Sequence, residues 1–277
     1  MIKRGKKGQL TLFIIIAAVV VAVAAITIFF WPSISGFFMS QQQAQQFLAS
    51  QAEPLRDAVA ECIYKISYPA FETIGLQAGY YDTTGMNFIY FGGKDHVVVM
   101  FKDAAKQRIN KLPSLTQIEN QYQMFLNDKG NAEIDKCLNN FAAFKRVMNV
   151  EPGERKISAL IYPDVVILEV DWPITISKRT ARAEARQTIN QKPVTLLMPL
   201  GYMWQTANKV VDCETQVDCK YEGIKWDEDA WNNPHRLHYI SRDARSITEN
   251  QIVFILESVP YRQGEMPYKF NFAIDRS

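Results

Sequence analysis

The hydrophobic pattern divides the chain sharply into an apolar run, a striped helix and a longer stretch of alternating segments. From Leu10 to Trp31 the only polar residues are Thr11 and Thr27. At about 1.5 Å per residue a helix of that length spans roughly 33 Å, enough for the hydrocarbon of a bilayer. Fourteen of these residues are Leu, Ile, Val or Phe, which favours insertion by about 4 to 8 kcal/mol. Pro32, Ser33, Ser35 and Gly36 interrupt the run where it would leave the lipid, and Trp31, Phe37 and Phe38 suit the interface. Glutamine-rich Gln41 to Gln46 can carry the helix on. Beyond it Leu48, Ala52, Leu55, Val59, Cys62 or Ile63, and Ile66 recur at steps of three and four, one apolar stripe that packs on the protein's own domain in preference to a coiled coil. Pro54 predicts a fresh helical turn, and Gly75 to Gly79 predict the helix end.

The period then changes. Met86 to Tyr90 and His96 to Phe101 flank Phe91 to Asp95 as a hairpin. Ser114 with Gln117 forms a capping box for a helix whose face carries Ile118, Tyr122, Phe125 and Leu126. A second helical pattern runs from Glu133 to Phe144 through Ile134, Leu138 and Phe141. Ile157 to Tyr162 and Val165 to Trp172 make another hairpin about Pro163-Asp164, and Ile174 to Ser177, Val194 to Met198, Ile252 to Glu257 and Tyr268 to Ile274 are further strands. Helices and strands segregate, so the expected class is α+β: an N-terminal transmembrane helix continuing into an amphipathic helix, then an antiparallel β-rich exterior domain. The boundaries are a basic tail at 1–9, the anchor at 10–38, the membrane-proximal helix at 39–82 and the α+β domain at 83–277.

Charge gives this order a direction. Lys3, Arg4, Lys6 and Lys7 precede the run, and no charged side chain follows until Glu53, so the positive-inside rule places the N-terminus in the cytoplasm and the C-terminal domain outside, a single pass through the plasma membrane. A secretory peptide cut after Ala22-Val23-Ala24 would leave an apolar mature terminus, and a buried core helix rarely needs so uniform a surface. The formal net charge is +2, and with four of its positive charges ahead of the run the rest is slightly acidic. Nucleic acid is not an implied partner; membrane lipid is, with a surface protein, an envelope polymer or self-assembly as further candidates.

Four cysteines, Cys62, Cys137, Cys213 and Cys219, in an exterior segment favour two disulfides. Three pairings exist. The short polar spacing of Cys213 and Cys219 makes a local closure the natural choice and leaves Cys62 with Cys137, a loop that stabilises by about 4.5 kcal/mol. His235 and His238, near Asp227, are weak candidates for a divalent metal, against which Trp226, Trp231 and Pro234 suggest a surface loop. Lys178, Arg179, Arg182 and Arg186 form a basic stripe if Lys178 to Gln187 is helical, but Glu184 interrupts the charge, and a solvated connection between strands is the preferred reading. The aromatics from Tyr202 to Tyr239 are a third candidate surface. The G-x-S-x-G, H-E-x-x-H, Walker and dinucleotide signatures are missing. No catalytic residue or cofactor is therefore assigned, and the chain is read as non-enzymatic.

Two resemblances add to this. Lys6-Lys7-Gly8-Gln9-Leu10-Thr11-Leu12-Phe13 resembles an archaeal class III signal, which implies prepilin-peptidase cleavage between Gly8 and Gln9 with the helix retained. The order Cys62, Gly75 to Tyr81, Leu112 to Leu115, Cys137 to Phe141, Val170 to Ile176 and Pro267 to Ala273 resembles a family of uncharacterised membrane-anchored surface proteins of small-genome archaea, of the nanoarchaeal and woesearchaeal kind. That likeness implies the Cys62–Cys137 pairing and one continuous exterior module, and brings no activity. The expected function is a membrane-anchored extracellular protein with a structural, adhesive or partner-recognition role. The alternatives are a type IV pilin-like filament subunit and an anchored metal-dependent hydrolase using His235, His238 and Asp227.

Overall fold

The computed structural model describes residues 21, 40–91, 93–102, 107–180, 183–216, 237–242, 251–258 and 267–276. Among them no helix is long and apolar enough to cross a membrane; of the apolar run from Leu10 to Trp31 only Val21 is described. The class is α+β with antiparallel-rich sheets.

Helix α1, Gln41–Leu76, has an N-terminus of its own. The Gln43 amide N–H donates to Ser40 Oγ (3.2 Å), and the Ser40 N–H donates back to Gln43 Oε1 (2.9 Å). That reciprocal capping box satisfies two of the donors a helix start leaves open, so α1 begins after Ser40; the expected continuation from the apolar run falls on 22–39, outside the described residues. Pro54 starts nothing, since the helix runs unbroken through it. The buried stripe Leu48, Ala52, Leu55, Val59, Cys62 and Ile63 holds the helix across the missing proline N–H. The stripe then continues as Ser67, Ala70, Phe71 and Ile74 rather than Ile66. The helix closes with the Gly79 N–H on the Ile74 carbonyl (2.8 Å) and the Ala78 N–H on the Gly75 carbonyl (3.2 Å), a Schellman arrangement with Ala78 left-handed at φ 58°.

By internal contacts the chain forms two compact units. One contains α1 up to Leu55, Phe141–Gly153 and Pro173–Ile189. Its sheet is antiparallel in the order β4, β7, β8, with β4 at Asn149–Pro152, β7 at Ile174–Arg179 and β8 at Glu184–Ile189. The described residues from Lys178 to Gln187 are strand and connection, as the preferred reading of a connection between strands implies, and not the alternative helix with a basic stripe: they belong to the β7–β8 hairpin, which buries Ile174, Ile176, Ala185 and Ile189. Lys178 points inward, its Nζ 5.4 Å from the Phe47 ring centre and donating to the Val147 carbonyl. Arg186 pairs with Glu184 at 3.3 Å, and Arg182 lies outside the described residues.

The other unit spans Arg56–Asn140, Glu154–Trp172 and the chain from Asn190 onward. Its larger sheet runs β1, β2, β12, β11, β10, with β3 also on β2. The ranges are β1 Phe88–Phe91, β2 Lys94–Lys102, β3 Arg108–Asn110, β10 Leu237–Arg242, β11 Gln251–Ser258 and β12 Lys269–Asp275. The β1–β2 hairpin has the expected position, and β12 lies parallel to β2. The strands β2, β11 and β12 are almost continuously buried, as strands covered on both faces are. Helix α2, Leu115–Phe125, starts at the expected Ser114–Gln117 capping box and buries Ile118, Tyr122 and Phe125. The Tyr122 ring stacks on Phe71 at 4.6 Å, and its hydroxyl bonds Ser67 Oγ at 2.7 Å.

A π-helical turn, Leu126–Gly130, leads into α3, Asn131–Cys137. The single helix expected from Glu133 to Phe144 is not formed, because Asn139, Asn140 and Phe141 all take positive φ and separate α3 from α4, Ala142–Lys145. The smaller sheet has the order β5, β6, β9, at Lys156–Ile161, Val165–Asp171 and Val194–Leu197. Helix α5, Leu200–Glu214, follows it.

Candidate functional site

The Cys62–Cys137 disulfide is present and links α1 to the end of α3, with a Cα separation of 5.8 Å. Cys213, in the last turn of α5, is disulfide-bonded as well, and Cys219 lies outside the described residues. Just before Cys137, the Arg155 guanidinium fixes α3 from the side. It donates to Asp135 (2.8 Å), to Asn131 Oδ1 (3.0 Å) and to the Asn131 carbonyl (2.9 Å), and lies 4.4 Å from the Trp172 ring centre. Its side chain is only 11% exposed, so these bonds make it a fixed wall.

Above that wall opens a cleft of about 650 Å³ between α2, the π-turn and β5, within the roughly 300–1,000 Å³ of small-ligand sites. Asn120, Gln123, Asn127 and Asn131 line one side, spaced at helical steps of three and four, and Lys156, Ser158 and Leu160 line the other. The same helix covers the free edge of β5. Gln123 Nε2 donates to the Ile157 carbonyl (2.6 Å), and the Ile161 N–H donates to Glu119 Oε1 (3.2 Å). Carboxamides carry a donor and an acceptor on one planar group and do not titrate. Two of these carboxamides already have protein partners, Gln123 on the Ile157 carbonyl and Asn131 on Arg155, and Glu119, Arg155, Lys156 and Ser158 add charged and hydroxyl groups to the same cleft.

A second cleft, of about 500 Å³, lies between the end of α1 and the starts of β2 and β12, lined by Glu72, Thr73 and Leu76 with Lys94, Glu257 and Lys269. Lys269 pairs with Glu257 at 3.0 Å. Burial alone pushes the Glu72 carboxyl above its ordinary value. Beside it Tyr268 is fully enclosed, its hydroxyl donating to the Phe71 carbonyl at 2.9 Å, and burial raises its phenol strongly. On the loop after α1, the Asp128 carboxylate accepting from the Tyr81 hydroxyl pushes that phenol up to about 12.

The sequence candidates scatter. Gly8, Gln9, Asp227 and His235 lie outside the described residues, as do Trp226 and Trp231, while His238 and Tyr239 fall within β10 instead of a loop. No group of His, Cys, Asp or Glu that could hold a metal is found among the described residues. Trp204 is half-buried, and its indole N–H donates to the Pro113 carbonyl at 2.6 Å, so it packs α5 instead of offering an aromatic platform. The row of carboxamides escaped the sequence reading, although its helical spacing is visible there. No family model, curated protein or solved structure matches the chain.

Proposed function

We propose that the chain is a single-pass membrane-anchored protein whose folded part lies outside the cell and serves a structural, adhesive or partner-recognition role. The observation that carries the reading is the Cys62–Cys137 disulfide, a bond that persists in oxidising compartments, in a chain that begins with an uncharged run of transmembrane length behind four basic residues. The cleft between α2 and β5, lined by carboxamides together with Glu119, Arg155 and Lys156, supports recognition of a polar, hydrogen-bonding ligand.

Membrane fractionation with intact mass tests it. The protein should require detergent for release, and reduction should add about four hydrogens to its mass. A soluble chain with free thiols would refute the proposal.

A further inference from the structure

The edges of the sheets are not treated alike. The free edge of β5 is covered by Gln123 and Glu119. β9 lies between Pro193 and Pro199, β8 carries Glu184 and Arg186, and β4 carries Glu151 and Pro152. Charges, prolines and covering helices are the usual means of keeping an edge from pairing. β1, Phe88-Ile89-Tyr90-Phe91, carries no charge or proline, and no helix among the described residues bonds to its outer edge.

The ladder fixes which backbone groups of β1 face outward. The Val98 N–H donates to the Asn87 carbonyl at 2.9 Å, and the register sets Phe88 opposite Val97 and Tyr90 opposite Asp95. Hydrogen-bonded and non-bonded pairs alternate along an antiparallel ladder. Asn87, Ile89 and Phe91 therefore turn their backbone groups toward β2, whereas Phe88 and Tyr90 turn N–H and C=O toward the open edge. Ile89 is 3% exposed and packs with Val98, Val253 and Ala273, which holds the strand in place. Phe88 and Tyr90 are 45% and 63% exposed.

We infer that β1 is a self-association edge, and that its partner is β1 of a second copy of this chain, added antiparallel. A two-fold axis through Ile89 sets Phe88 against the partner's Tyr90, and Tyr90 against the partner's Phe88. Every outward donor then meets an acceptor, closing about four backbone hydrogen bonds. The same register lays each phenylalanine beside a tyrosine on one face, a favourable cross-strand aromatic pair. The short uncharged strand brings no like charges together across the axis. The inference goes beyond the anchored-surface reading and does not depend on it.

Sedimentation of the full chain in detergent micelles tests the inference with two substitutions. Tyr90→Lys places a charge on the edge. Tyr90→Pro removes an N–H that points outward and so takes no bond from the β1–β2 ladder. The wild type should sediment as a dimer and both variants as monomers, with the secondary structure of Tyr90→Lys by circular dichroism unchanged from the wild type. A Phe88→Cys, Tyr90→Cys double variant should cross-link on oxidation, residue 88 to residue 90 between copies. A monomeric wild type, or cross-linking in another register, overturns the inference. A dimer that survives both substitutions is held elsewhere, the apolar N-terminal run included, and overturns the edge assignment while leaving the anchor reading intact.

Discussion

Gly75 shows how tightly one position can be set. A Cβ there would sit 2.8 Å from Tyr268 Cζ and meet the Lys269 carbonyl oxygen inside contact distance, because the start of β12 crosses the end of α1 at that point. Gly75→Ala should lose about 1–3 kcal/mol in urea unfolding by overpacking. A glycine there is legible as a helix-end signal, but the reason for it is not, since Tyr268 lies 193 residues further along the chain. The Schellman position falls on Ala78 rather than on a glycine, a local choice that spacing alone does not reveal. Glu72 belongs to the same region. Its carboxyl is raised by burial, so the folded state holds its proton more tightly than the unfolded chain. Stability from this group is present at acid pH and declines as pH rises from the ordinary carboxylate range through the raised value. Glu72→Gln should therefore unfold at higher denaturant than wild type at pH 7, with the difference vanishing toward pH 4; an equal difference at both pH values would contradict that origin.

At the scale of elements, strong local signals were legible and weakly patterned ones were not. The Ser114–Gln117 box and the β5–β6 turn are written in neighbouring residues, and both form as expected. Helix α5 was hidden because Tyr202 and Trp204 draw attention to aromatic chemistry, whereas its buried face, Leu200, Met203, Ala207, Val210 and Val211, has ordinary helical spacing. The run from Glu133 to Phe144 keeps a helical pattern of apolar residues, yet three left-handed residues interrupt it; nothing in the period announces them. The end of α5 is fixed by charge. Glu214 is 3% exposed and receives a bidentate pair from Arg276, itself 31% exposed, while Arg108 donates to the Glu214 carbonyl. Arg276→Ala removes two charge-assisted hydrogen bonds from a buried carboxylate and should cost about 1.5–3 kcal/mol, measured by denaturant midpoint. Ser40→Ala should fray the first turn of α1 at a cost of about 1 kcal/mol, seen as faster amide exchange there than in the rest of the helix.

The whole molecule joins a long helix, two compact units and a bond between residues 75 apart in sequence. By chain entropy that crosslink stabilises by about 4.5 kcal/mol, so Cys62→Ser with Cys137→Ser should lower unfolding stability by roughly that amount. The α+β class was legible because helical and strand patterns segregate along the chain, and the Cys62–Cys137 pair because the short Cys213–Cys219 spacing leaves those two cysteines to each other. The carboxamide cleft was not, since it depends on β5 lying beside α2. The central claim, a folded part outside and a basic tail inside, is tested most directly by labelling intact cells with a membrane-impermeant amine reagent and mapping the modified lysines. Lys65, Lys136 and Lys156, whose side chains are 61%, 80% and 69% exposed, should be labelled, and Lys3, Lys6 and Lys7 only after lysis. Labelling of the N-terminal lysines on intact cells, or protection of all six until lysis, would contradict it.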